Sequence, residues 1–370
     1  MVLGNRKVKA GTTNQIIGLM KILQVIDKLD VGGAERVAVN LCSLLFENKI
    51  EVSFLNLLQP AKLDEELIQK GIKLQYLNRR NKYNPIYLLK MFFILNRYTI
   101  VHVHSRHVLR YIGITFFLPK FFRNFKVVFH DHYGEIDSDN SISPYLKKCI
   151  NKCDAYIGVS PSLVHWAREN KLNNKIFLLE NIVRESRSFK EIATDSKIVA
   201  VGNFRKQKNY EFLLTVLKNL PEHIKIDLYG AVVDDKYYND FIDLTKSLGL
   251  THRIHISTSE KSVAEILPNY SLAIHCAASE TGPLAAIEFM SKGMPLIMFN
   301  TGSVAKVLKE NGYGFIMDIF DEREWTIKVN EILNNPSLQS NLATQLKMIH
   351  QNFFSEKTYF EKCLKIYQVI

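Results

Sequence analysis

LAIHCAASETGPLAAIEFMSKGMP, residues 272–295, combines a short apolar run, a turn and an apolar helix pattern. The run Leu272–Cys276 predicts a buried strand, Gly282 and Pro283 predict a turn into a helix, and Gly293 predicts the end of that helix. The helix is apolar almost all the way round, which is typical of a helix packed inside a domain. A buried strand followed by a buried helix is the unit from which parallel α/β sheets are built.

The same alternation of strand and helix patterns runs along the chain from Lys21 onward. A chain of 370 residues is too long for one comfortable core, and the polar stretch 184–196 is a plausible linker between two series. The predicted fold class is therefore α/β, with two Rossmann-like domains whose parallel sheets face each other across a cleft. The predicted parts are an extension outside the fold (1–19), an N-terminal Rossmann-like domain (20–190), a C-terminal Rossmann-like domain (191–350), and a C-terminal helix that packs back on the N-terminal domain (351–370).

The predicted strands are short apolar runs separated by helical patterns. They lie at 22–26, 52–56, 99–104, 127–130 and 155–159 in the first series, and at 198–201, 224–229, 254–257, 272–276 and 296–299 in the second. Ligands of such sheets bind outside the carboxyl ends of the strands, so the loops after the strands are where we expect site residues.

A carboxylate lies in the middle of the apolar helix. Glu288 would cost several kcal/mol to desolvate there without partners. It is either an exposed charge or partner of an arginine, or it binds the vicinal hydroxyls of a ribose through hydrogen bonds of roughly 1.5–3 kcal/mol each. The backbone amides of Thr281, Gly282 and Leu284 lie at the start of the helix, where a phosphate is favoured. A phosphate at the helix start and a ribose one turn inward together describe a nucleotide.

Two further loops are candidate binding elements. Arg205 and Lys208 follow the first strand of the second series, where they can neutralise the charge of a departing nucleoside diphosphate without an acidic metal cage. The alternative for this loop is a solvated basic surface. Gly32 and Gly33 follow the first strand of the chain and allow close backbone approach, which fits a substrate or phosphate as well as a plain strand-to-helix turn.

Histidines cluster at the ends of two strands in the first series. His102 and His104 share one face of their strand, and His130 and His132 flank Asp131. A zinc or di-metal hydrolase is an alternative interpretation, but few acidic residues accompany the histidines and we predict no metal. The simpler interpretation is that these strand ends line the cleft and that one histidine positions a sugar hydroxyl.

The net charge of +11 is concentrated in one part of the chain. Between Leu67 and His130 there are twelve Lys or Arg residues and no Asp or Glu, interleaved with aromatic and aliphatic residues. Such a segment can lie on an anionic bilayer, with each cation contributing about 1 kcal/mol. The alternative is a pair of core helices with solvated basic faces. Nucleic acid is not a predicted partner, because no nucleic-acid-binding motif accompanies the charge.

Three features of the sequence predict the cellular location. No run of 18 apolar uncharged residues predicts a spanning helix, and the first twenty residues lack the apolar region of a signal peptide. The five cysteines are odd in number and scattered, which suits free thiols in a reducing compartment. We therefore expect a cytoplasmic protein that contacts the inner face of the cell membrane peripherally.

These motifs resemble the group 1 glycosyltransferases of the GT-B fold, large retaining enzymes of the family 4 type that build polysaccharides and glycolipids. The most specific mark is an E-x7-E element, met by Glu280 and Glu288 and followed by Gly293 and Pro295. The supporting marks are the loop of Gly32 to Glu35, the pair Val159 and Ser160, and the loop from Gly202 to Lys208. The resemblance covers nearly the whole chain from Met20.

The resemblance implies that residues 20–190 form the acceptor domain and residues 191–350 the nucleotide-sugar domain. It also implies a role for each matching residue. Glu288 holds the ribose, and Glu280 contacts the donor sugar. Arg205 and Lys208 grip the diphosphate. His130, at a strand end like the His-Asp motif of the family, approaches the reacting sugar, with the second histidine of that strand end as its competitor.

The chain departs from the family pattern at two places. Asn203 stands where the family often has an arginine, and Thr-Gly-Pro follows Glu280 where Gly-Phe-Gly is usual. The implied reaction is transfer of a glycosyl group from a UDP- or GDP-linked nucleotide sugar to a glycan or lipid-linked acceptor, with retained configuration and without a metal or other cofactor. Two rivals remain open, namely a noncatalytic GT-B scaffold or nucleotide-sugar-binding subunit and a metal-dependent hydrolase.

Overall fold

The computed structural model describes residues 20–30, 32–81, 84–117, 122–136, 139–172, 175–183, 197–258 and 263–370, and these fold into two compact units. Unit 1 takes the chain up to Leu179 together with Tyr359–Ile370, and unit 2 is Glu180–Thr358. The division precedes the boundary expected at residue 190 because Val183 already packs in the core of unit 2. The predicted extension 1–19 and the whole predicted linker 184–196 lie outside the described residues.

Unit 1 is built on a parallel sheet of seven strands in the order β3-β2-β1-β4-β5-β6-β7. The strands are β1 (Lys21–Ile26), β2 (Glu51–Asn56), β3 (Lys73–Tyr76), β4 (Ile100–His104), β5 (Lys126–Asp131), β6 (Ala155–Gly158) and β7 (Ile176–Leu178). The helices are α1 (Gly33–Glu47), α2 (Asp64–Gln69), α3 (Pro85–Leu95), α4 (Arg106–Ile112), α5 (Pro144–Asn151) and α6 (Pro161–Glu169).

Several helices of unit 1 begin where the sequence supplies a cap and a proline. Asn84, Ser143 and Ser160 each accept a hydrogen bond from a backbone N–H of the first helical turn, and a proline follows each of them. The capping oxygen satisfies an amide that the helix leaves unpaired, and proline needs no partner at the first helical position. These local signals fix where α3, α5 and α6 begin.

Unit 2 is built on a parallel sheet of six strands in the order β10-β9-β8-β11-β12-β13. The strands are β8 (Lys197–Val201), β9 (Lys225–Tyr229), β10 (Ile254–Ser257), β11 (Leu272–His275), β12 (Leu296–Phe299) and β13 (Ile316–Met317). The helices are α7 (Tyr210–Lys218), α8 (Asp235–Ser247), α9 (Val263–Ile266), α10 (Leu284–Lys292), α11 (Gly302–Glu310), α12 (Glu322–Leu333) and α13 (Pro336–Phe353). A last helix, α14 (Glu356–Gln368), runs into unit 1.

The strand orders place one topological switch point in each unit. In unit 1 the order reverses between β1 and β4, and in unit 2 between β8 and β11. Loops leave adjacent strands in opposite directions at such a point, and the crevice between them is the usual ligand site of an open parallel sheet. The α/β class and the two parallel sheets are confirmed. The loops after β1, β4, β8 and β11 are therefore the first places to look for function.

Two of the sequence features from which the cellular location was predicted can be compared with the structure. All five cysteines are free and buried, as the sequence predicts. Within the described ranges, no helix has both the length and the hydropathy that crossing a bilayer requires.

Candidate functional site

The switch point of unit 2 joins a cation and a carboxylate from two different loops. Lys208 ends a short 3-10 turn after β8, and Glu280 follows β11. The ammonium of Lys208 forms an ion pair with Oε1 of Glu280, and both side chains are 19% exposed. Gly202 makes room for this arrangement, because a Cβ there would lie 2.9 Å from Cε of Lys208.

The electrostatics of this pair keep Glu280 ionised. Burial raises the pKa of the Glu280 carboxyl, but the Lys208 ammonium, with His275 and Arg205 acting in the same direction, leaves the pKa below its ordinary value. Burial, with the positive charge of Lys208, lowers the pKa of His275 to about 4. The site therefore holds a charged Lys–Glu pair at neutral pH, beside a neutral histidine and within reach of the exposed Arg205.

Neighbouring backbone holds the Glu280 loop in place. The amide of Glu280 donates to Oγ1 of Thr301 at 3.1 Å, and the amide of Ser303 donates to the carbonyl of Thr281 at 2.9 Å. Gly302 lies between Thr301 and Ser303 and has a φ of +74°. A Cβ at this position would lie 2.6 Å from the carbonyl oxygen of Glu280. Only glycine fits this close approach without strain. The start of α11 is thus part of the site, which the sequence patterns did not indicate.

α10 begins directly after the predicted turn and ends where the sequence predicts. Pro283 precedes its first residue, Leu284, and Gly293 terminates it in the left-handed conformation with φ +68°. Thr281 is buried, whereas Leu284 and Glu288 are half-buried. The Nδ2 of Asn181 donates to the carbonyl of Gly282 at 2.6 Å and fixes the turn that precedes the helix. The assigned roles of Glu288 and of the amides at the helix start stay predictions.

Unit 1 concentrates four histidines at the ends of β4 and β5. Nε2 of His102 lies 3.2 Å from Nδ1 of His130, and Nδ1 of His104 lies 3.1 Å from Nε2 of His132. The rings of His102 and His104 stack with centroids 4.6 Å apart, as expected for neighbours on one face of a strand. This cluster also receives Tyr367 of α14, whose hydroxyl lies 2.6 Å from Nδ1 of His102.

Burial keeps these imidazoles neutral. Desolvation, with smaller contributions from neighbouring rings, lowers the pKa of His102, His104 and His130 well below the ordinary value, and burial lowers the pKa of His132 to about 3. His130 is completely enclosed, while His132 is partly exposed. The backbone of Leu179 lies close enough to raise the pKa of His130, against the effect of burial. No hydrogen bond of normal geometry from a described residue reaches Nε2 of His130.

The histidine cluster fits a metal only in part. Nitrogen atoms of His102, His104 and His130 all lie within 4.8 Å of one another, and neutral imidazoles are suitable ligands. Two of those nitrogens already face each other at hydrogen-bonding distance, and the stacked rings do not converge on one point. The four histidines are linked in two pairs at hydrogen-bonding distance, and the prediction of no metal stays a prediction.

The backbone beside this cluster is held by a buried carboxylate. Asp131 is fully buried and accepts hydrogen bonds from Nε and Nη2 of Arg106 at 3.0 and 2.8 Å and from the hydroxyl of Tyr156 at 3.0 Å. It also accepts from the amide of Tyr133 at 3.2 Å, so the residues on both sides of His132 are anchored. Such a charge-assisted network gives the strand end a fixed geometry.

Gly32 and Gly33 lie in the loop after β1, which is one of the two strands at the switch point of unit 1. Gly32 precedes α1, and a Cβ there would lie 2.3 Å from Oε2 of Glu35, so a larger residue would displace that side chain. Gly33 is exposed, and a Cβ there would meet nothing within 4 Å. The structure thus gives a steric reason for glycine at the first position and none at the second.

The structure brings some of the predicted residues together and leaves others apart. Lys208 and Glu280 are in contact, and Arg205 is close enough to influence the Glu280 carboxyl. Gly32, Gly33 and His130 belong to unit 1, whereas the remaining candidates belong to unit 2.

Sequence reasoning did not find several neighbours of these residues. They are Gln24, Arg106 and Tyr367 in unit 1, and Asn181, His275 and Thr301 in unit 2. The Thr301-Gly302 pair, which follows the predicted strand 296–299, is the sequence feature that could have indicated one of them.

Two protein-family models match the chain. "Glycosyltransferase Family 4" matches residues 31–187, and "Glycosyl transferases group 1" matches residues 182–347. The first match includes every strand of the unit 1 sheet except β1, the second includes every strand of the unit 2 sheet, and together they span residues 31–347.

Known proteins similar to the chain are distant in sequence. N-acetyl-alpha-D-glucosaminyl L-malate synthase of Bacillus anthracis is 23% identical over 60% of this chain, and the match spans 61% of that enzyme's length. An uncharacterized glycosyltransferase of Haemophilus influenzae is 23% identical over 88% of this chain and 94% of its own. HepE of Anabaena, crystallised with UDP-glucose, shares the fold with a TM-score of 0.81 at 14% identity, over 95% of this chain and all of that one. The chain therefore belongs to the group 1 glycosyltransferases of the GT-B fold.

Proposed function

We propose that the protein transfers a glycosyl group from a UDP- or GDP-linked nucleotide sugar to a glycan or lipid-linked acceptor, with retention of configuration and without a metal. The observation that carries this proposal is the ion pair of Lys208 and Glu280 at the switch point of unit 2. A fixed cation and a fixed carboxylate from two loops at this position suit a ligand that has both a diphosphate and a sugar.

The proposed chemistry depends on charge and position. Arg205 and Lys208 neutralise the negative charge that develops on the departing diphosphate, a contribution that preorganised charges make most strongly in a site shielded from water. Glu280 accepts hydrogen bonds from hydroxyls of the donor sugar and orients it. The acceptor attacks from the face that the diphosphate leaves, so the protein needs no nucleophile of its own and acts mainly by positioning.

The relatives support this assignment at the level of substrate class. HepE was crystallised with UDP-glucose, and the name of the Bacillus enzyme specifies transfer of an amino sugar to malate. The acceptors of relatives therefore include a small hydroxy acid. We favour a glycan or lipid-linked acceptor for this chain because of the surface of α3 described below.

Glu288→Ala is expected to weaken nucleotide binding by roughly 10²- to 10⁴-fold, because two charge-assisted hydrogen bonds to the ribose are lost and each contributes about 1.5–3 kcal/mol. Calorimetric titration with UDP and with GDP measures the change. Glu310→Ala, on the exposed end of α11, is the matched control and should leave the affinity unchanged. Equal affinities of the Glu288 variant and the wild type for both nucleotides would contradict the ribose assignment.

A thermal-shift panel of UDP-, GDP- and ADP-linked sugars tests the proposal as a whole. The preferred donor should raise the unfolding temperature, because a ligand that binds only the folded state stabilises it by mass action. Release of nucleoside diphosphate in the presence of that donor and candidate acceptors then measures transfer. Stabilisation by a nucleotide without any release would instead identify a binding subunit.

The surface of α3 supports a membrane-held acceptor. Ile86, Leu89 and Phe93 are 70%, 58% and 58% exposed, and their spacing puts them on neighbouring turns of one face. Lys90 and Arg97 are exposed beside them. Together with Phe93, these two cations line part of a groove of about 450 Å³ between α3 and the edge strand β3. An apolar stripe flanked by cations matches the anionic surface of a bilayer.

Flotation with vesicles of phosphatidylglycerol and phosphatidylcholine tests this surface. The wild type should co-migrate with the vesicles at low salt and detach as salt screens the attraction. Lys90→Glu/Arg97→Glu should abolish co-migration, whereas Lys218→Glu/Lys236→Glu, an equal charge change on exposed sites of unit 2, should preserve it. Co-migration of both double variants, or of neither the wild type nor the variants, would contradict the membrane proposal.

A further inference from the structure

His275, the last residue of β11, is a buried histidine without a hydrogen-bond partner in the described part of the chain. Its side chain is 3% exposed, and no described group reaches Nδ1 or Nε2 with normal hydrogen-bond geometry. The backbone of His275 lies close enough to affect the pKa of its own ring, but not in such a geometry. Nearly all buried polar groups of native proteins are satisfied, so an exception beside a candidate site indicates a contact that forms with the ligand.

The ring of His275 points a nitrogen towards the ion pair of the candidate site. Nε2 of His275 lies 4.0 Å from Oε1 of Glu280, and the same oxygen is paired with the ammonium of Lys208. A hydrogen bond from a ring nitrogen needs about 2.7–3.2 Å, so an approach of roughly 1 Å would bring His275 into contact with the carboxylate. His275 is therefore a second donor for Glu280, held just outside bonding distance.

Two opposite charges act on the His275 ring. The Lys208 ammonium opposes protonation of the ring and the Glu280 carboxylate favours it, and with burial the pKa is about 4. Arg205 acts on Glu280 from the same loop as Lys208. The protonation state of His275 thus depends on whether the charge of Lys208 is opposed by another anion.

The other groups packed around the end of β11 do not compete for a proton. Burial raises the pKa of Tyr210, on α7, and of Cys276, next to His275, so both are already protonated. Glu211, also on α7, acts on the Cys276 thiol. On the neighbouring strand β12, the residue opposite His275 is the apolar Met298. His275 is therefore the group here whose protonation can change near neutral pH.

We propose that His275 is a positioning residue that takes up a proton when the diphosphate of a nucleotide binds, and that it then donates a hydrogen bond from Nε2 to Glu280. The inference rests on the proposed glycosyl transfer, whose donor brings the diphosphate. The proton comes from solvent, the neutral ring becomes an imidazolium, and no other bond changes. Glu280 then keeps a cation on the protein side while it accepts hydrogen bonds from sugar hydroxyls.

The charge of the diphosphate is the physical cause of this uptake. It offsets the Lys208 ammonium, which opposes a proton on His275, and leaves the favourable effect of Glu280 in place. Such interactions are strong in a buried site, where little water screens them. A charged imidazole in direct contact with a carboxylate also has the partner that a buried charge requires.

Calorimetric titration with UDP and with GDP, in buffers of different ionisation enthalpy, counts the protons that binding takes up. At pH 6 the wild type should take up about 0.3–1 proton more than His275→Gln, which keeps a hydrogen-bond donor but cannot be charged. The difference between the two proteins cancels the proton that the nucleotide phosphate itself exchanges. Equal uptake by the wild type and His275→Gln would overturn the inference.

The pH dependence of nucleotide affinity gives the same quantity independently. The pKa of His275 is about 4 in the free site and higher in the complex, so the complex binds more protons between these two values. Relative to His275→Gln, the wild-type affinity should therefore improve by roughly two- to ten-fold for each pH unit as the pH falls through this window. Parallel pH profiles would contradict the proton uptake.

His350→Gln is the matched control for both measurements. His350 is a second buried histidine of unit 2, on α13, with a pKa lowered to about 4 by burial alone and an Nε2 without a partner among the described residues. Because no charged group acts on the His350 ring, its replacement should leave the proton uptake unchanged. An equal loss of uptake in the His275 and His350 variants would overturn the inference, since it would reflect a general response of buried histidines.

Nitrogen-15 spectroscopy of histidine-labelled protein shows the proton directly. The His275 signals, assigned by their loss in His275→Gln, should change from those of a neutral ring to those of an imidazolium when UDP or GDP is added at pH 6. A ring that stays neutral in the complex would overturn the inference. A thermal unfolding curve shows that each variant is folded.

Turnover separates the positioning role from a packing role. His275→Phe fills the same space without either nitrogen, and the turnover number with the donor from the thermal-shift panel should fall roughly ten-fold, the equivalent of one lost hydrogen bond to a charged group. His275→Gln should recover part of this loss, and equal turnover of the Phe variant and the wild type would contradict the role. A wild type that binds neither nucleotide would overturn the proposed function and this inference with it, whereas binding without extra uptake would overturn this inference alone.

Discussion

Lys208→Ala should lower the turnover number by roughly 10²- to 10³-fold, the loss expected when one preorganised group that stabilises transition-state charge is removed. Nucleotide affinity should fall less, by about ten-fold, because the cation also contacts the diphosphate in the ground state. A larger effect on turnover than on binding is the sign of an interaction that strengthens as the bond to the leaving group breaks.

The position of Lys208 is the reason for the size of this effect. Its side chain passes over Gly202 at the end of β8 and reaches Glu280 after β11, the neighbouring strand. The backbone carbonyl of Lys208 accepts a hydrogen bond from the thiol of Cys276 at 3.2 Å, which holds the 3-10 turn in place. The variant therefore loses a held charge and also leaves the half-buried Glu280 without its ion-pair partner.

Lys206→Ala is the matched control for this prediction. Lys206 belongs to the same 3-10 turn but is exposed, and its loss should change turnover less than three-fold, about the scale of an exposed charge. A thermal unfolding curve shows whether each variant is folded. Turnover numbers of the Lys208 and Lys206 variants that agree within three-fold would contradict the role of Lys208.

The central strands of both sheets are predictable from the sequence, and some edge strands are not. β1, β4, β8 and β11 are almost continuously buried, so an apolar run identifies each of them. The strands that the patterns did not predict, β3, β7 and β13, all lie at sheet edges and are largely half-buried. A strand with one unpaired side needs no continuous apolar run, and Lys-Leu-Gln-Tyr of β3 has none.

The residues of the unit 2 site are predictable, but their contacts are not. Lys208 and Glu280 both carry a local signal, since each follows a buried strand. Their ion pair depends on β8 and β11 being neighbours, which is a property of the strand order. Periodicity in a window of ten residues contains no information on which strands pair.

The contacts of the histidine cluster are even less predictable from the sequence. Strand alternation places His102 and His104 on one face, and the structure confirms their stacking. Tyr367, however, is 265 residues from His102 in the sequence. The sequence predicts a C-terminal helix on the N-terminal domain, but it does not indicate that this helix contacts the histidines. The local sequence does not predict how deeply each histidine is buried, so only the folded structure shows that His132 is more exposed than His130.

Acidification should destabilise unit 1 steeply below pH 6.5. An unfolded histidine binds its proton near pH 6.5, whereas the folded pKa of His132 is about 3 and those of His102, His104 and His130 are well below the ordinary value. In this window the unfolded state binds more protons than the folded state, so stability falls as pH falls. Each neutral histidine lowers the free energy of unfolding by about 1.4 kcal/mol for each pH unit below 6.5, and four together lower it by about 5.5 kcal/mol for each pH unit.

A loss of that size is comparable to the whole stability of a domain, typically about 5–15 kcal/mol, so unit 1 should unfold first on acidification. Urea unfolding at pH values from 7.5 to 5, followed by Trp166 fluorescence in a Trp325→Phe background, reports on unit 1 alone, because these two tryptophans lie in different units. His132→Gln should reduce the pH slope by about 1.4 kcal/mol per unit. His165→Gln, whose side chain is 73% exposed, should not change it. A free energy of unfolding that stays constant between pH 7 and 5 would mean that the cluster accepts protons in the folded state, and the neutral state assigned to its four rings would be wrong.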